Sequence, residues 1–171
     1  RLRTNPGPDW LASLVQAVLT TPTVGVTGGP PPDQVIAGLI NCLPPECRTE
    51  LSFSTGLRFS PRRPFRLIAL LQDGEEQRRV RRLYELAVLD LSQPPPAQFA
   101  PIDSWPRLIQ RVLKSRRTSL LSSQFSHRQG ELAPEDLPAW GLQLLEELDA
   151  SSLDQSPRQE APGATASPEG I

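Results

Sequence analysis

Residues 23–43, "TVGVTGGPPPDQVIAGLINCL", change from one structural periodicity to another within a single short stretch. Residues 23–27 are short and β-branched and lie between Pro22 and Gly28, which predicts a strand. After the glycine and proline turn, apolar residues recur at helical spacing, namely Val35, Ile36, Leu39, Ile40 and Leu43. A strand, a glycine turn and a helix in this order form a βα unit and indicate an α/β fold.

The same stretch has the outline of a phosphate-binding loop, in which a strand leads through glycines into a helix. Residues 30–32 are all proline, and they occupy the positions whose amides would contact the phosphate. Proline has no N–H to donate, and no lysine lies near the loop. We therefore expect no nucleotide site here, and we interpret the glycines and prolines as the end of a strand and the start of a helix.

Two further strands are predicted near residues 51–58 and 64–71, where apolar side chains alternate with period two. The turn between them is short, so we expect these two strands to form an antiparallel pair. The strands at 23–27 and 51–58 flank the helix at 33–43 and are expected to pair in parallel by a right-handed crossover. The sequence thus predicts a small three-stranded mixed sheet.

Helical periodicity beyond the first βα unit accounts for the rest of the predicted domain. Together with 33–43, about five helices are expected to pack on the sheet, the others lying near 10–20, 75–91, 105–117 and 138–149. Residues 150–171 contain almost no apolar side chain, which predicts a disordered C-terminal tail. The expected organisation is a leader at 1–8, an α/β domain at 9–149 and this tail.

Charge and hydropathy exclude some classes of protein. The 171 residues carry 18 basic and 19 acidic side chains and a net charge of -1, so no overall field attracts nucleic acid or anionic lipid. No apolar run approaches the roughly 20 residues of a membrane helix. We therefore expect no membrane contact and a cytoplasmic location.

The residues that usually carry catalysis or bind metals are few. Cys42, Cys47 and the single histidine, His127, supply too few ligands for a structural zinc site. His127 lies in a serine-rich segment without the strand, turn and helix of a nucleophile elbow, so it is expected in a solvated loop. The sequence predicts no catalytic residue, no metal and no cofactor, and hence a protein that is not an enzyme.

An arginine-rich turn is the most distinctive local feature. Between Arg48 and Arg66 the chain carries five arginines against one glutamate, Glu50, and phenylalanines are interleaved with them. Guanidinium groups beside aromatic rings can bind carboxylates, phosphates or stacked bases. The candidate partner-binding residues are Arg58, Arg62, Arg63 and Arg66.

Three interpretations of this turn remain open. Pro61 and Pro64 bracket Arg62 and Arg63, which is also typical of a turn that is merely solvated. A protein partner with an acidic surface is the second interpretation. Nucleic acid is the third, and the neutral overall charge makes it the alternative rather than the leading binding hypothesis.

Leu43 and Pro44, then Arg48, then residues 51–55 with the text "LSFST" resemble the middle region of the bacterial proteins called GTPase-associated protein 1. The chain departs from that family at Gly56, where an aromatic residue often follows the threonine. The resemblance implies a non-catalytic partner or adaptor that acts beside small GTPases. The leading hypothesis is therefore a protein-interaction module whose partner is an acidic protein surface, such as a GTPase or its complex, and the alternative is a nucleic-acid-binding accessory domain.

Overall fold

The computed structural model describes residues 6–63, 65–70, 72–84 and 86–154. Within these ranges the chain forms seven α-helices and four β-strands, with short 3-10 turns at Ala97–Phe99 and Pro134–Asp136. In chain order the elements are α1 (Pro8–Thr20), β1 (Val24–Thr27), α2 (Pro32–Asn41), α3 (Pro45–Arg48), β2 (Phe53–Ser54), β3 (Leu67–Ala69), α4 (Gly74–Tyr84), β4 (Ala87–Asp90), α5 (Ser104–Lys114), α6 (Thr118–His127) and α7 (Leu137–Asp154). The predicted α/β class and the predicted first βα unit are confirmed.

The four strands form one parallel sheet in the order β2-β3-β1-β4. In its register Val24 lies opposite both Leu67 and Ala87, and Phe53 lies opposite Leu67. The prediction of a three-stranded mixed sheet was wrong in the number of strands, in the direction of one pair and in the pairing of β1. β2 and β3 are parallel rather than antiparallel, and β1 pairs with β3 and β4 rather than with β2.

The connection between β2 and β3 explains why this pair is parallel. Residues 55–66 return from the end of β2 to the start of β3, a separation that suits a parallel crossover better than a tight hairpin. Phe59 and Phe65 from this connection pack against Ile68 and Val80, so the segment covers one face of the sheet. β3 is buried on both faces, as expected for an inner strand of a parallel sheet.

Each face of the sheet has its own hydrophobic core. Leu67 and Ala69 point into a large core that includes β1, α1, α2 and α5. Ile68 and Leu70 point into a smaller core with α4 and the 55–66 connection. Side chains that alternate along β3 therefore contact different layers of the molecule.

The connections between strands follow a simple rule of direction. The chain moves along the sheet one way from β1 to β2 through α2, which lies in the large core. It moves back the other way through the 55–66 connection and α4, which both lie in the smaller core. When all crossovers have the same hand, connections that run in opposite directions along the sheet lie on opposite faces of it, as observed here.

The fourth strand was missed by the sequence prediction. The spacing predicted one helix over 75–91, but α4 ends at Tyr84 and residues 87–90 form β4 at the edge of the sheet. Ala87, Val88 and Leu89 fit both periodicities, and pairing of β4 with β1 provides backbone hydrogen bonds and burial of Leu89. Tertiary pairing therefore decided between the two structures.

The helices of the second half form a layer on the large core, where α5 packs against both α1 and α7. The Trp105 ring stacks on that of Trp140 with centroids 5.2 Å apart, and its Nε1 donates a hydrogen bond to the Cys42 carbonyl at 3.0 Å. The segment around His127, predicted as a loop, is helical and forms α6. α7 continues into the predicted tail as far as Asp154, and residues 155–171 lie outside the described ones.

Over the described ranges, no helix has both the length and the apolar character that crossing a membrane requires.

Candidate functional site

The arginine turn, which we define as residues 58–63, is held by its own backbone. The Arg63 amide donates to the Ser60 carbonyl at 3.0 Å, which closes a β-turn with Pro61 at its second position. Serine at the first position and proline at the second are both typical of such turns, because proline fixes φ near the required value. The turn thus presents Arg62 and Arg63 from a backbone of restricted freedom.

Three of the four predicted arginines are free to contact a partner. Arg58, Arg62 and Arg63 are exposed. Their side chains form no hydrogen bond or ion pair with any other residue in the described ranges. Three unpaired guanidinium groups therefore lie within six residues of chain.

Arg66 is placed differently. It is half-buried, its Nη1 donates to the Thr21 carbonyl at 3.2 Å, and its backbone amide donates to the Ser52 hydroxyl at 3.0 Å. These bonds tie the start of β3 to the residues before β1 and before β2. Arg66 consequently supports the base of the arginine turn within the fold.

Arg48, in the segment that carries the family resemblance, also has a local structural contact. Its Nε donates to the Leu43 carbonyl at 2.9 Å, just beyond the end of α2. Basic side chains near a helix C-terminus satisfy carbonyls that lack a helical partner. Leu43 and Arg48 are thus joined in one helix-ending arrangement.

A groove lies beside the arginine turn at the amino edge of the sheet, where β1 and β4 begin. Its volume is about 460 Å³. The rings of Phe59 and Tyr84 form part of its wall, with their centroids 4.9 Å apart and their planes at 57° to each other. The groove is lined by Thr21, Pro22, Thr23, Phe59, Ser60, Pro61, Tyr84, Leu86 and Ala87.

The arginine turn adjoins this groove. Among the residues that the structure describes, none that lines the groove carries a charge. Arg58 directly precedes Phe59, and Arg62 and Arg63 directly follow Pro61, so the unpaired arginines stand within two residues of the lining. The arrangement can bind an acidic group and an apolar group at the same time.

A second cavity lies at the carboxyl edge of the sheet, between β1 and β3, from which the chain departs in opposite directions. This is the position where open α/β sheets commonly bind ligands. The cavity measures about 230 Å³, and none of the described residues that line it is charged. It is lined by Val26, Thr27, Gly28, Pro30, Pro32, Val35, Thr55, Ala69, Leu70, Gln72 and Leu91.

The glycine and proline loop at this cavity has a structural role. Gly28 has φ of 65°, and a Cβ at this position would lie 2.5 Å from the Asp90 carboxylate. α2 begins at Pro32 and follows Pro31, so neither the N-cap nor the first position of the helix has an amide hydrogen to offer a phosphate. Thr27 Oγ1 accepts a hydrogen bond from Gln77 Nε2 at 2.7 Å.

Asp90 stabilises the opposite side of that loop. Its carboxylate accepts hydrogen bonds from the Ser92 hydroxyl at 2.6 Å and the Ser92 amide at 3.0 Å. These bonds to Ser92, with a smaller attraction from Arg81, hold the pKa of Asp90 below its usual value. Asp90 therefore remains a carboxylate that ends β4 and turns the chain.

The other reactive side chains are engaged or buried. His127 Nδ1 lies 2.7 Å from the Ser123 carbonyl, one turn earlier on α6. Burial raises the pKa of Cys42 to about 12, and burial with nearby carboxylates raises that of Cys47 to about 11. Among the residues whose placement is given, no group of three or more His, Cys, Asp or Glu side chains is arranged to hold a metal ion.

Tyr84 is a site residue that the sequence did not indicate. The helix predicted over 75–91 continues past Tyr84, whereas α4 ends at Tyr84 and this side chain is 39% exposed. The signal that could have corrected this is the run from Ala87 to Leu91, which also fits a short strand. A helix that ends before that strand leaves Tyr84 at the rim of the groove.

Comparisons with protein-family models, with curated proteins and with solved structures find no match for this chain.

Proposed function

We propose that this chain is a non-enzymatic protein-interaction module that binds an acidic surface of a partner protein through the arginine turn. In the form suggested by the family resemblance, it is a cytoplasmic adaptor in a bacterial GTPase-linked system, and the partner is a GTPase or its complex. The observation that carries the proposal is the presence of exposed Arg62 and Arg63 on a closed β-turn, with exposed Arg58 two residues before it and with none of the three paired to another described residue.

The ordered backbone of the turn lowers the entropic cost of binding by its arginines. A guanidinium on a fixed turn loses less freedom on binding a carboxylate than one on a mobile loop, because the backbone is already ordered. Arg58, Arg62 and Arg63 have no carboxylate partner in the described chain whose loss would oppose binding. Arg66 contributes by holding the base of the turn through its bond to Thr21.

Recognition suits this site better than acid-base chemistry. Active sites usually gather groups whose pKa values are displaced. The described groups with displaced pKa values are Asp9, Cys42, Cys47 and Asp90, and none of them lines the groove beside the arginine turn. The groove instead offers aromatic rings and apolar walls, and the adjoining arginine turn offers cations.

Affinity capture from cells of the source organism tests this function. The bait proteins are the wild type, the double variant R62A/R63A and the control R107A/R116A, which removes two exposed arginines from the α5 and α6 side. The recovered amount of each specific partner protein is expected to fall about tenfold or more with R62A/R63A, because this variant removes two charged contacts that contribute to association. Equal recovery with both double variants would contradict the proposal.

Nucleic acid is the second candidate, favoured by the same arginines beside Phe59 and Tyr84, since bases can stack on exposed rings. A salt titration with a fluorescent single-stranded oligonucleotide separates the two. Two results together would favour nucleic acid over a protein partner. The logarithm of the affinity would fall steeply and linearly with the logarithm of the salt concentration, and R62A/R63A would reduce the affinity.

A further inference from the structure

We propose that the amino-edge groove binds an extended acidic segment of the partner and seats an aliphatic or proline side chain of that segment against Phe59 and Tyr84. This inference rests on the proposed function, which supplies the acidic partner. It adds an apolar anchor to the charge contact and so specifies the chemistry of the recognised segment.

The aromatic wall is fixed on one side and open on the other. Phe59 packs against the smaller core, where Ile68, Leu70 and Val80 are buried. Tyr84 lies 4.9 Å from Phe59 and keeps 39% of its surface exposed. A ring held by the core beside an exposed ring forms an ordered apolar surface, so little freedom is lost when a side chain packs on it.

The rest of the lining suits an extended chain. Pro22 and Pro61 add rigid apolar surface, and Leu86 and Ala87 complete it at the start of β4. Grooves lined by aromatic rings commonly accept extended, proline-containing segments, since such segments are already ordered before binding. The volume of about 460 Å³ lies within the approximate range of 300–1,000 Å³ for ligand clefts.

Charge complementarity selects an acidic segment. The lining residues that the structure describes are uncharged, and Arg62 and Arg63 follow the lining residue Pro61 directly. The closed turn from Ser60 to Arg63 holds the backbone of both arginines next to Ser60 and Pro61, which line the groove. A segment with carboxylates beside its apolar anchor therefore satisfies both parts of the site, whereas a basic or purely apolar segment satisfies at most one.

Two fluorescein-labelled nonapeptides of equal charge test the inference by fluorescence anisotropy. The anchored peptide has leucine, proline and leucine between two triplets of acidic residues, and the reference peptide has serine, glycine and serine at the centre. Wild type is expected to bind the anchored peptide roughly five- to tenfold more tightly, as packing of one or two apolar side chains allows.

Variants of the wall and of the turn separate the two contributions. Tyr84→Ser is expected to remove the difference in affinity between the two peptides, whereas Tyr84→Phe is expected to retain it. Leu83→Ser is the matched control, because Leu83 is 59% exposed, precedes Tyr84 and does not line the groove. R62A/R63A is expected to weaken both peptides by a similar factor. Thermal unfolding of each variant checks that it is folded.

The outcomes distinguish this inference from the proposed function. If both peptides bind equally and only R62A/R63A weakens them, the apolar anchor is overturned and the acidic partner stands. If neither peptide binds the folded wild type, both are overturned. If the protein without peptide self-associates and R62A/R63A makes it monomeric, the occupant is a second copy, which overturns the inference as well.

Discussion

Gly28 shows how one residue shapes the carboxyl edge of the sheet. Its φ of 65° is in the left-handed region, and a Cβ there would lie 2.5 Å from the Asp90 carboxylate. Both features favour glycine, because a side chain adds backbone strain and a steric clash. The loop after β1 can therefore pack closely against the end of β4.

The first prediction is that Gly28→Ala lowers the free energy of unfolding by about 2 kcal/mol, from left-handed strain and the displaced carboxylate. Urea denaturation measures the change. Gly56→Ala is the control, since a Cβ at Gly56 meets nothing within 4 Å, and it should be neutral or slightly stabilising. Equal effects of the two substitutions would refute the structural account of the loop.

The second prediction concerns Cys42 and Cys47, which are each 3% exposed. Both pKa values are raised, to about 12 and about 11, so the folded protein should react very slowly with a thiol reagent at pH 8. In denaturant, both cysteine thiols should react rapidly with the same reagent. Because the folded pKa values exceed the unfolded value near 9.0, stability should also fall as the pH rises above about 9. Rapid reaction in native buffer would contradict the burial of these thiols.

At the scale of elements, α5 and α7 approach each other closely at one glycine. A Cβ on Gly141 would lie 2.8 Å from the Trp105 amide nitrogen, which is too close for any side chain. Ser104 donates to the Pro138 carbonyl next to this contact, and Arg111 forms an ion pair with Asp149 further along the helices. The two helices are therefore joined along most of the length of α5.

The third prediction is that Gly141→Ala destabilises the fold by about 2 kcal/mol, although alanine is the better helix former by about 1 kcal/mol. The cost arises because the backbones of α5 and α7 must separate. Thermal unfolding, followed by tryptophan fluorescence of the Trp105 and Trp140 pair, measures it. Leu142→Ala, at a position 53% exposed on the same helix, should change stability by less than about 0.5 kcal/mol. A stabilised Gly141→Ala variant would show that the helices are not in close contact.

Elements with one clear periodicity could be predicted from the sequence, and those with two could not. The strong apolar stripe of α1 and the proline-bounded β1 were predicted nearly to their ends. The residues of β4 were predicted as part of a helix because Ala87 and Leu91 continue the helical spacing of Val80. α6 was missed because its serines weaken the apolar pattern, although Leu121 packs into the large core.

Strand pairing and the environment of the arginines needed tertiary information. The pattern of 51–71 predicts strands but does not define their direction, which is set by Phe59 and Phe65 packing across the face of the sheet. The sequence likewise treats Arg58, Arg62, Arg63 and Arg66 alike. Only the path of the backbone distinguishes Arg66, bonded to Thr21, from the three exposed arginines.

At the scale of the whole molecule, the two edges of the sheet differ in chemistry. The carboxyl edge holds a cavity of about 230 Å³ whose described lining residues are uncharged, and the amino edge holds the larger groove, which Phe59, Ser60 and Pro61 of the arginine turn help to line. The net charge is only -1, so the positive charge at the amino edge is a local excess. Local charge acts over roughly a Debye length, about 10 Å at 0.1 M salt.

The fourth prediction follows from this short range. The association rate with an acidic partner should fall by several-fold between 50 and 500 mM salt, because screening removes the attraction to the arginine turn. R62A/R63A should already associate slowly at low salt and should show a weaker dependence on salt. Stopped-flow fluorescence measures both rates. A wild-type rate that does not vary with salt would exclude electrostatic recognition at this edge.

The most direct test of the central claim is site-specific photo-cross-linking in cells of the source organism. A photoreactive phenylalanine analogue replaces exposed Leu83 at the amino edge in one variant and exposed Ser92 at the carboxyl edge in another. We expect a protein adduct from position 83, which is lost when R62A/R63A is added, and little adduct from position 92. An adduct from position 92 alone, or one from position 83 that survives R62A/R63A, would contradict the central claim.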